Sequence, residues 1–275
     1  MGNIVWLASY PKSGNTWARA FLHNYILEPE TPHNINRLVD LSASENNALF
    51  YKQYDPRPPS SWSIAETQRL RPLVHRDLTR LHPDLVFVKT HNACLSIHHI
   101  PLCTPEYTEA AIYILRDPRD VAISYSAYTG HSLDSIIAFM NKSQAANRAT
   151  ESQVFEFLGS WSQHAESWTR QNNGKLLPLR YEDMLATPTE SFSKIIEFLG
   201  GKPEPQRLAC AIEFSSFATL AAQETAHGYA ANAPNSNAPF FRTGQAGQWR
   251  DILSTAQRKR IETDHRSMMI KFGYL

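Results

Sequence analysis

Ile4-Val5-Trp6-Leu7-Ala8-Ser9-Tyr10-Pro11-Lys12-Ser13-Gly14-Asn15-Thr16-Trp17 decides how this chain is read. Residues 4–8 are an apolar run of the length of a buried strand. Pro11, Ser13, Gly14 and Asn15 then break regular structure. From Thr16 onward, Trp17, Ala20, Phe21, Asn24, Tyr25 and Leu27 recur with the period of a helix that has one apolar face. A strand, a tight loop with a lysine and a glycine, and a helix start together make an anion site. The first N–H groups of a helix are unpaired, and its dipole favours negative charge there. Lys12 adds a cation, and Ser13, Asn15 and Thr16 add side-chain donors. The loop differs from the G-x-x-x-x-G-K-[ST] loop of nucleoside triphosphatases, because the lysine precedes the glycine. Taken alone, it fits a phosphate cradle and a plain βα turn with a surface lysine equally well.

The chain has 275 residues, 42% of them hydrophobic and 19% charged, as in an ordinary globular protein. Its formal net charge of +1 provides no broad basic field, so nucleic acid is not the expected partner and any anion site is local. Cys94, Cys103 and Cys210 form neither a metal-ligand spacing nor a disulfide framework; reduced cysteines and a cytoplasmic location are expected. No targeting segment is visible, and no apolar window approaches the length of a membrane span.

Further strands are expected over 85–88, 111–115 and 176–179, with Pro178 placing the last at an edge. Helices are expected over 37–50 (capped by Asn34 or Asn36), 74–81, 133–149, 154–170, 189–199 and 255–272. Asp117 and Pro118 read as the cap and first residue of a further helix. Strands alternating with helices predict an α/β fold: one P-loop-like domain over 1–275, a parallel sheet covered on both faces. Charged and polar groups sit just past the strands: Lys12, then Lys89 and His91, then Arg116, then Tyr181. In a parallel sheet these positions converge on one edge, where such folds bind ligands. A pocket holding Lys12, Lys89, Arg116 and a helix N-terminus suits a polyanion.

These segments resemble the sulfotransferases that use 3′-phosphoadenosine 5′-phosphosulfate (PAPS). Tyr10 to Trp17 is similar to that family's 5′-phosphosulfate loop, and Lys89-Thr90-His91 to its lysine–threonine–histidine segment. Tyr113 to Ser124, reading Y-I-L-R-D-P-R-D-V-A-I-S, resembles its 3′-phosphate strand and helix. Arg180-Tyr181-Glu182-Asp183 matches a downstream tyrosine motif. Phe241-Arg242-Thr243-Gly244-Gln245-Ala246-Gly247-Gln248-Trp249 resembles its late arginine–lysine–glycine loop. The segments occur in the family's order over nearly the whole chain.

The resemblance implies roles. Lys12 would meet the bridging oxygen of the phosphosulfate as charge builds on the leaving phosphate. Ser13, Gly14, Asn15 and Thr16 would hold the 5′-phosphate. Arg116, Ser124 and Arg242 would hold the 3′-phosphate, within a late loop spanning Phe241, Arg242, Thr243 and Gly244. Trp17, Tyr181 and Phe217 would pack around adenine, with Ser215 or Ser216 nearby. His91 is the implied general base, since histidine titrates near neutral pH. Lys12, Lys89 and the helix end supply positive charge, so no metal is expected. Asp117 and Asp120 read as cap and dipole partners, Arg119 as a surface residue, and His23, His75, His82, His98, His99 and His131 as structural. Phe50, Tyr51, Tyr54, Trp62, Tyr128, Phe139 and Tyr229 are candidates for an acceptor wall but fit core or loop packing as well.

The sequence also departs from the family. Thr243 stands where a lysine is usual, and one cation is lost. Arg250, Ser254, Thr255 and Lys259 match the family's dimer segment poorly, so the oligomeric state is open. The stretch 221–239, rich in Ala and Asn, reads as a mobile lid. The expected activity is sulfuryl transfer from PAPS, releasing 3′,5′-bisphosphoadenosine (PAP), to a hydroxyl or amine of a small molecule: a phenol, an alcohol, an amine or a natural product. Two alternatives are a nucleotide-dependent kinase or phosphotransferase on a related fold, and a non-catalytic PAP-binding protein. The first needs a lysine after the glycine-rich loop and an acidic metal ligand at a strand end, which the sequence lacks; Lys12 and His91 argue against the second.

Overall fold

The computed structural model describes residues 3–170, 174–231 and 238–275. Five parallel strands form the central sheet: β1 (Asn3–Ser9), β2 (Ser42–Ser44), β3 (Leu85–Thr90), β4 (Thr108–Leu115) and β5 (Leu176–Arg180). Their spatial order is β2-β3-β1-β4-β5. β1 lies in the middle, with Trp6 opposite Val88 on one side and Ala111 on the other. Pro178 lies on the outermost strand β5, where its missing N–H removes no ladder bond from a further neighbour.

The main helices are α1 (Asn15–Leu27), α2 (Ile64–Leu78), α3 (Pro118–Thr129), α4 (Leu133–Met140), α5 (Trp161–Thr169), α6 (Tyr181–Ala186), α7 (Pro188–Phe198), α8 (Pro205–Phe214), α9 (Phe217–His227), α10 (Thr255–Asp264) and α11 (Arg266–Lys271). They cover both sheet faces. Side chains alternate across a strand, so Ile4, Trp6 and Ala8 pack with Val74, Ala122, Trp161 and Trp168 on one face. Val5 and Leu7 pack with Phe21, Leu22, Phe192 and Ile195 on the other. Both faces are dry, which is why β1 reads as a continuous apolar run. Burying each such aliphatic or Phe side chain contributes roughly 1.5–3 kcal/mol. The α/β parallel-sheet expectation is borne out.

Several expected helices are corrected. The stretch 37–50 is not one helix. A 3-10 segment Ile35–Asp40, capped by Asn34, gives way to β2 and then to a single turn, Ala48–Tyr51. Tertiary contacts override the local pattern here: buried Arg19 of α1 donates to the Ser42 hydroxyl (2.8 Å) and to the Ser42 carbonyl (3.1 Å) and pins β2 to the sheet edge. The 74–81 helix starts much earlier, at Ile64, behind a Ser63–Glu66 capping box. Helix 133–149 stops at Met140. Residues Ala146–Asn147 instead form a two-stranded antiparallel ribbon with Glu156–Phe157, which also delays α5 to Trp161. The 255–272 helix breaks at His265, whose imidazole meets the Ser162 hydroxyl at 3.0 Å. Within the expected lid, residues 221–227 are the end of α9, and 232–237 lie outside the described residues. Arg119 is buried, bridging Asp117 and Glu262 beneath the Trp249 ring, and is not a surface residue. Among the described residues, no helix is long and apolar enough to cross a membrane.

Candidate active site

The carboxyl ends of β1, β3 and β4 bring the loop at Lys12, the segment Lys89–His91 and Arg116 to one edge of the sheet. At the first of these, Lys12 has φ 65° and Gly14 φ 106°. Gly14 caps α1, and its carbonyl accepts from the N–H groups of Trp17 (3.0 Å) and Ala18 (3.2 Å). Only glycine suits this position: its φ is left-handed, and an added Cβ would stand 2.7 Å from Cδ2 of Tyr181. Gly14→Ala is expected to lower stability by about 1–3 kcal/mol and to displace the Tyr181 ring. Denaturant unfolding and PAP titration check this; an unchanged midpoint with unchanged affinity would contradict it.

Not every expected loop group faces the cradle. The Asn15 amide donates back to the Leu7 carbonyl (2.9 Å) and the Ser9 hydroxyl (3.3 Å), tying the loop onto β1. Its side-chain amide is therefore committed to β1, and its backbone N–H is the donor left to the loop. Ser13 Oγ, Trp17 Nε1 and Arg116 Nε are buried without a hydrogen-bond partner among the described residues. Leaving buried donors unpaired is costly. These three orphans, clustered with the Gly14 cradle and the α1 N-terminus, fit an adenosine bisphosphate. Thr16 and Ser124 are half-buried near the same edge, Ser124 on α3. Trp17 stands edge-on to Tyr181, with centroids 5.7 Å apart.

Arg116 is a clasp as well as a cation. Its Nη1 donates to the Lys12 carbonyl (3.3 Å) and its Nη2 to the Gln245 carbonyl (2.8 Å), and its guanidinium lies 4.3 Å above the Tyr181 ring. The late loop is also held at both ends. The Glu224 carboxylate accepts from the N–H groups of Phe240 (2.6 Å) and Phe241 (2.8 Å). The Asp120 carboxylate accepts from those of Gly247 (2.5 Å) and Trp249 (3.1 Å). Between these anchors lie Arg242, which reaches Gln248 (3.2 Å), half-buried Thr243, and Gly244 against the Phe217 ring. Ser216 caps α9, whereas the Ser215 hydroxyl donates to Ala211 within the end of α8 and does not turn to the site. Asp120 reads as a dipole partner in sequence, and nothing in its pattern marks it as a loop anchor. Glu224 carries no sequence signal.

The Lys12 ammonium lies 3.5 Å from the Phe240 ring centroid and 4.3 Å from that of Tyr128. Burial first, and then Arg116, pull it down to about 7. An anion bound there restores the proton. Between pH 7 and 10, PAP binding is therefore expected to take up about one proton. Calorimetry in buffers of different ionisation enthalpy measures this; zero uptake in Lys12→Met identifies the group.

His91 Nδ1 lies 2.8 Å from the Ser9 carbonyl and 3.3 Å from the Ser9 hydroxyl. A carbonyl only accepts, so Nδ1 carries the proton and Nε2 keeps its lone pair. Burial, and then the charge of Lys89, hold the imidazolium well below the usual histidine range. Lys89 forms an ion pair at 3.5 Å with the buried Glu156. A glycine-capped helix N-terminus with its lysine, a clasping arginine and a neutral imidazole thus share one edge. Among the described residues, no group of three or more His, Cys, Asp or Glu side chains could hold a metal ion.

A family model described as "Sulfotransferase domain" matches residues 3–273. Curated relatives include Sulfotransferase 1A1 of Canis lupus familiaris, 23% identical over 96% of this chain and 82% of the relative. Sulfotransferase 1E1 of Mus musculus is 26% identical over the same shares. Among solved structures, retinol dehydratase in complex with androsterone and inactive cofactor PAP superposes with a TM-score of 0.63. It is 19% identical, over 97% of this chain and 80% of that one. Mouse sulfotransferase SULT7A1 complexed with PAP gives 0.62 at 21% identity, over 97% and 84%. The chain belongs to the sulfotransferase family and is a PAPS-dependent sulfotransferase.

Proposed function

We propose that the protein transfers the sulfuryl group of PAPS in line to a hydroxyl or amine of a small-molecule acceptor, with His91 as general base. When bound, the donor supplies an electrophilic sulfur and a phosphate leaving group. The observation that carries this reading is the bond from His91 Nδ1 to the Ser9 carbonyl, which leaves Nε2 unprotonated at the sheet edge beside Lys89. Nε2 takes the acceptor's proton as its oxygen or nitrogen attacks.

Lys12 and the N–H groups of Ser13 to Thr16 hold the 5′ side and balance charge on the leaving phosphate, and Lys89 adds its ammonium. Arg116, Ser124 and the loop of Phe241, Arg242, Thr243 and Gly244 hold the 3′-phosphate. Trp17, Tyr181 and Phe217 bound the adenine, with Ser216 close by. Thr243 supplies a hydroxyl where a lysine would supply a second cation, so Arg242 bears more of that contact.

Two cores on one sheet support reading 1–275 as one domain. The free cysteines support a cytoplasmic location. The deciding experiment incubates PAPS and the protein, with a chelator, against phenols, alcohols and amines. Acceptor-dependent PAP release supports the reading. PAP binding without release for any acceptor favours a non-catalytic binder, and preference for ADP with magnesium favours a phosphotransferase.

A further inference from the structure

Glu156 has no part in the roles given so far, yet its carboxylate is buried beside the site. Oε2 accepts from the Asn147 side-chain Nδ2 (3.1 Å), and Asn147 Oδ1 accepts from the Tyr125 hydroxyl (3.1 Å). Among the described residues, Oε1 is buried with no hydrogen-bond partner, and its neighbour is the Lys89 ammonium at 3.5 Å. The backbone is equally fixed. Glu156 pairs with Asn147 in the ribbon, the N–H of Phe157 donates to Asn92 Oδ1 (2.8 Å), and the Phe157 carbonyl accepts from Ala93 (2.8 Å). Asn92 directly follows His91. The carboxylate is thus bolted to the segment that carries the base.

We propose that Glu156 is a positioning residue for the transfer reaction, its anchored carboxylate keeping the Lys89 ammonium charged and in place at the end of β3. This rests on the reading that Lys89 belongs to the transfer site. A buried ammonium without a counterion sheds its proton, and an opposite charge within ~4–6 Å prevents this. Glu156 is the strongest of the groups that oppose the downward pull of burial on Lys89. Arg19 of α1 and His91 also face the ammonium; Arg19 pulls the same way as burial, and Glu45, following β2, adds a weaker opposing charge. Tyr125 and Tyr128 of α3 and Tyr51 face Glu156 as neutral phenols. A merely structural pair would affect folding alone; a positioning pair also sets the pH at which Lys89 loses its proton.

The test is an NMR titration of the lysine side chains, with Lys89 assigned by Lys89→Met, in the parent, Glu156→Gln and Glu156→Asp. In Glu156→Gln the Lys89 midpoint is expected to fall by about one to three pH units, with Glu156→Asp close to the parent. The alkaline limb of PAP release moves the same way. An unmoved Lys89 midpoint in Glu156→Gln overturns the proposal. If that variant does not fold, Asn147→Ala keeps the charge but frees it, and a smaller fall is expected; no fall there overturns the proposal too. A Lys89→Met enzyme with the parent's rate is a separate failure, which removes Lys89 from the site.

Discussion

Replacing His91 with alanine lowers acceptor-dependent PAP release by about 10²–10⁴-fold, the range that general-base catalysis supplies. PAP affinity changes little, because the groups proposed to hold the nucleotide come from the loop after β1 with α1, from Arg116 and α3, from Tyr181 and Phe217, and from the late loop, and His91 is not among them. The base is set up by its surroundings. The Ser9 carbonyl fixes the tautomer, and the backbone carbonyl of His91 itself accepts from His164 Nε2 at 3.0 Å. Burial holds His164 neutral, at about 4, and its other nitrogen meets the Tyr113 hydroxyl at 2.9 Å. The pH profile follows from the direction of the His91 shift. A base works when unprotonated, and this imidazole stays unprotonated to well below the usual histidine range. The acid limb of kcat/KM is therefore expected below pH ~6.5, the ordinary histidine value. Steady-state PAP release for parent and His91→Ala across pH 5 to 9 measures both effects. A loss smaller than tenfold, or an acid limb at the ordinary value, would remove His91 as the base.

What could be read from the sequence was what local chemistry dictates. The Asp117–Pro118 cap, the edge position of Pro178 and the helix stop at Gly200 each follow from the residue itself, and each stands in the fold. The convergence of Lys12, Lys89, His91 and Arg116 follows from the parallel sheet alone. Features decided by distant partners were not readable. Ser42-Ala43-Ser44 has no strand pattern and becomes β2 because Arg19 and the edge of β3 hold it. Residues 133–149 keep a helical period past Met140, but pairing of 146–147 with 156–157 wins. Asn15 has the composition of a phosphate donor and turns its amide to Leu7. Glu156, Glu224 and Asp120 are ordinary acids in sequence, and their roles exist only once the loops have closed.

The largest stability effect is expected at a residue that touches no ligand. Arg71→Met should cost about 3–5 kcal/mol of folding free energy, as removing one member of a buried ion pair does. Arg71 and Glu45 are wholly buried and paired, and Arg71 also donates to Gln68 and to the Phe155 carbonyl. Glu45 gathers the Tyr51 hydroxyl, the Asn92 amide (2.8 Å) and His75, 3.6 Å away, so it links β2, α2 and the segment after His91. Burial pushes the Glu45 carboxyl up, but Arg71 foremost, then His75 and Tyr51, bring it down to about 2. In the parent this acid therefore adds stability above its unfolded value near ~4.5, and that stability is lost as pH falls toward 2. The variant reverses the sign. Without Arg71 the folded-state carboxyl lies above its unfolded value, so the deficit grows as pH rises through it and shrinks on acidification. Urea unfolding of parent and variant at pH 5 and pH 8 reads both the cost and its slope. The double variant Glu45→Gln with Arg71→Met leaves no unpaired charge and should recover much of the loss. If the double variant is as unstable as Arg71→Met, the cost lies in packing around the long arginine side chain and not in the stranded carboxylate.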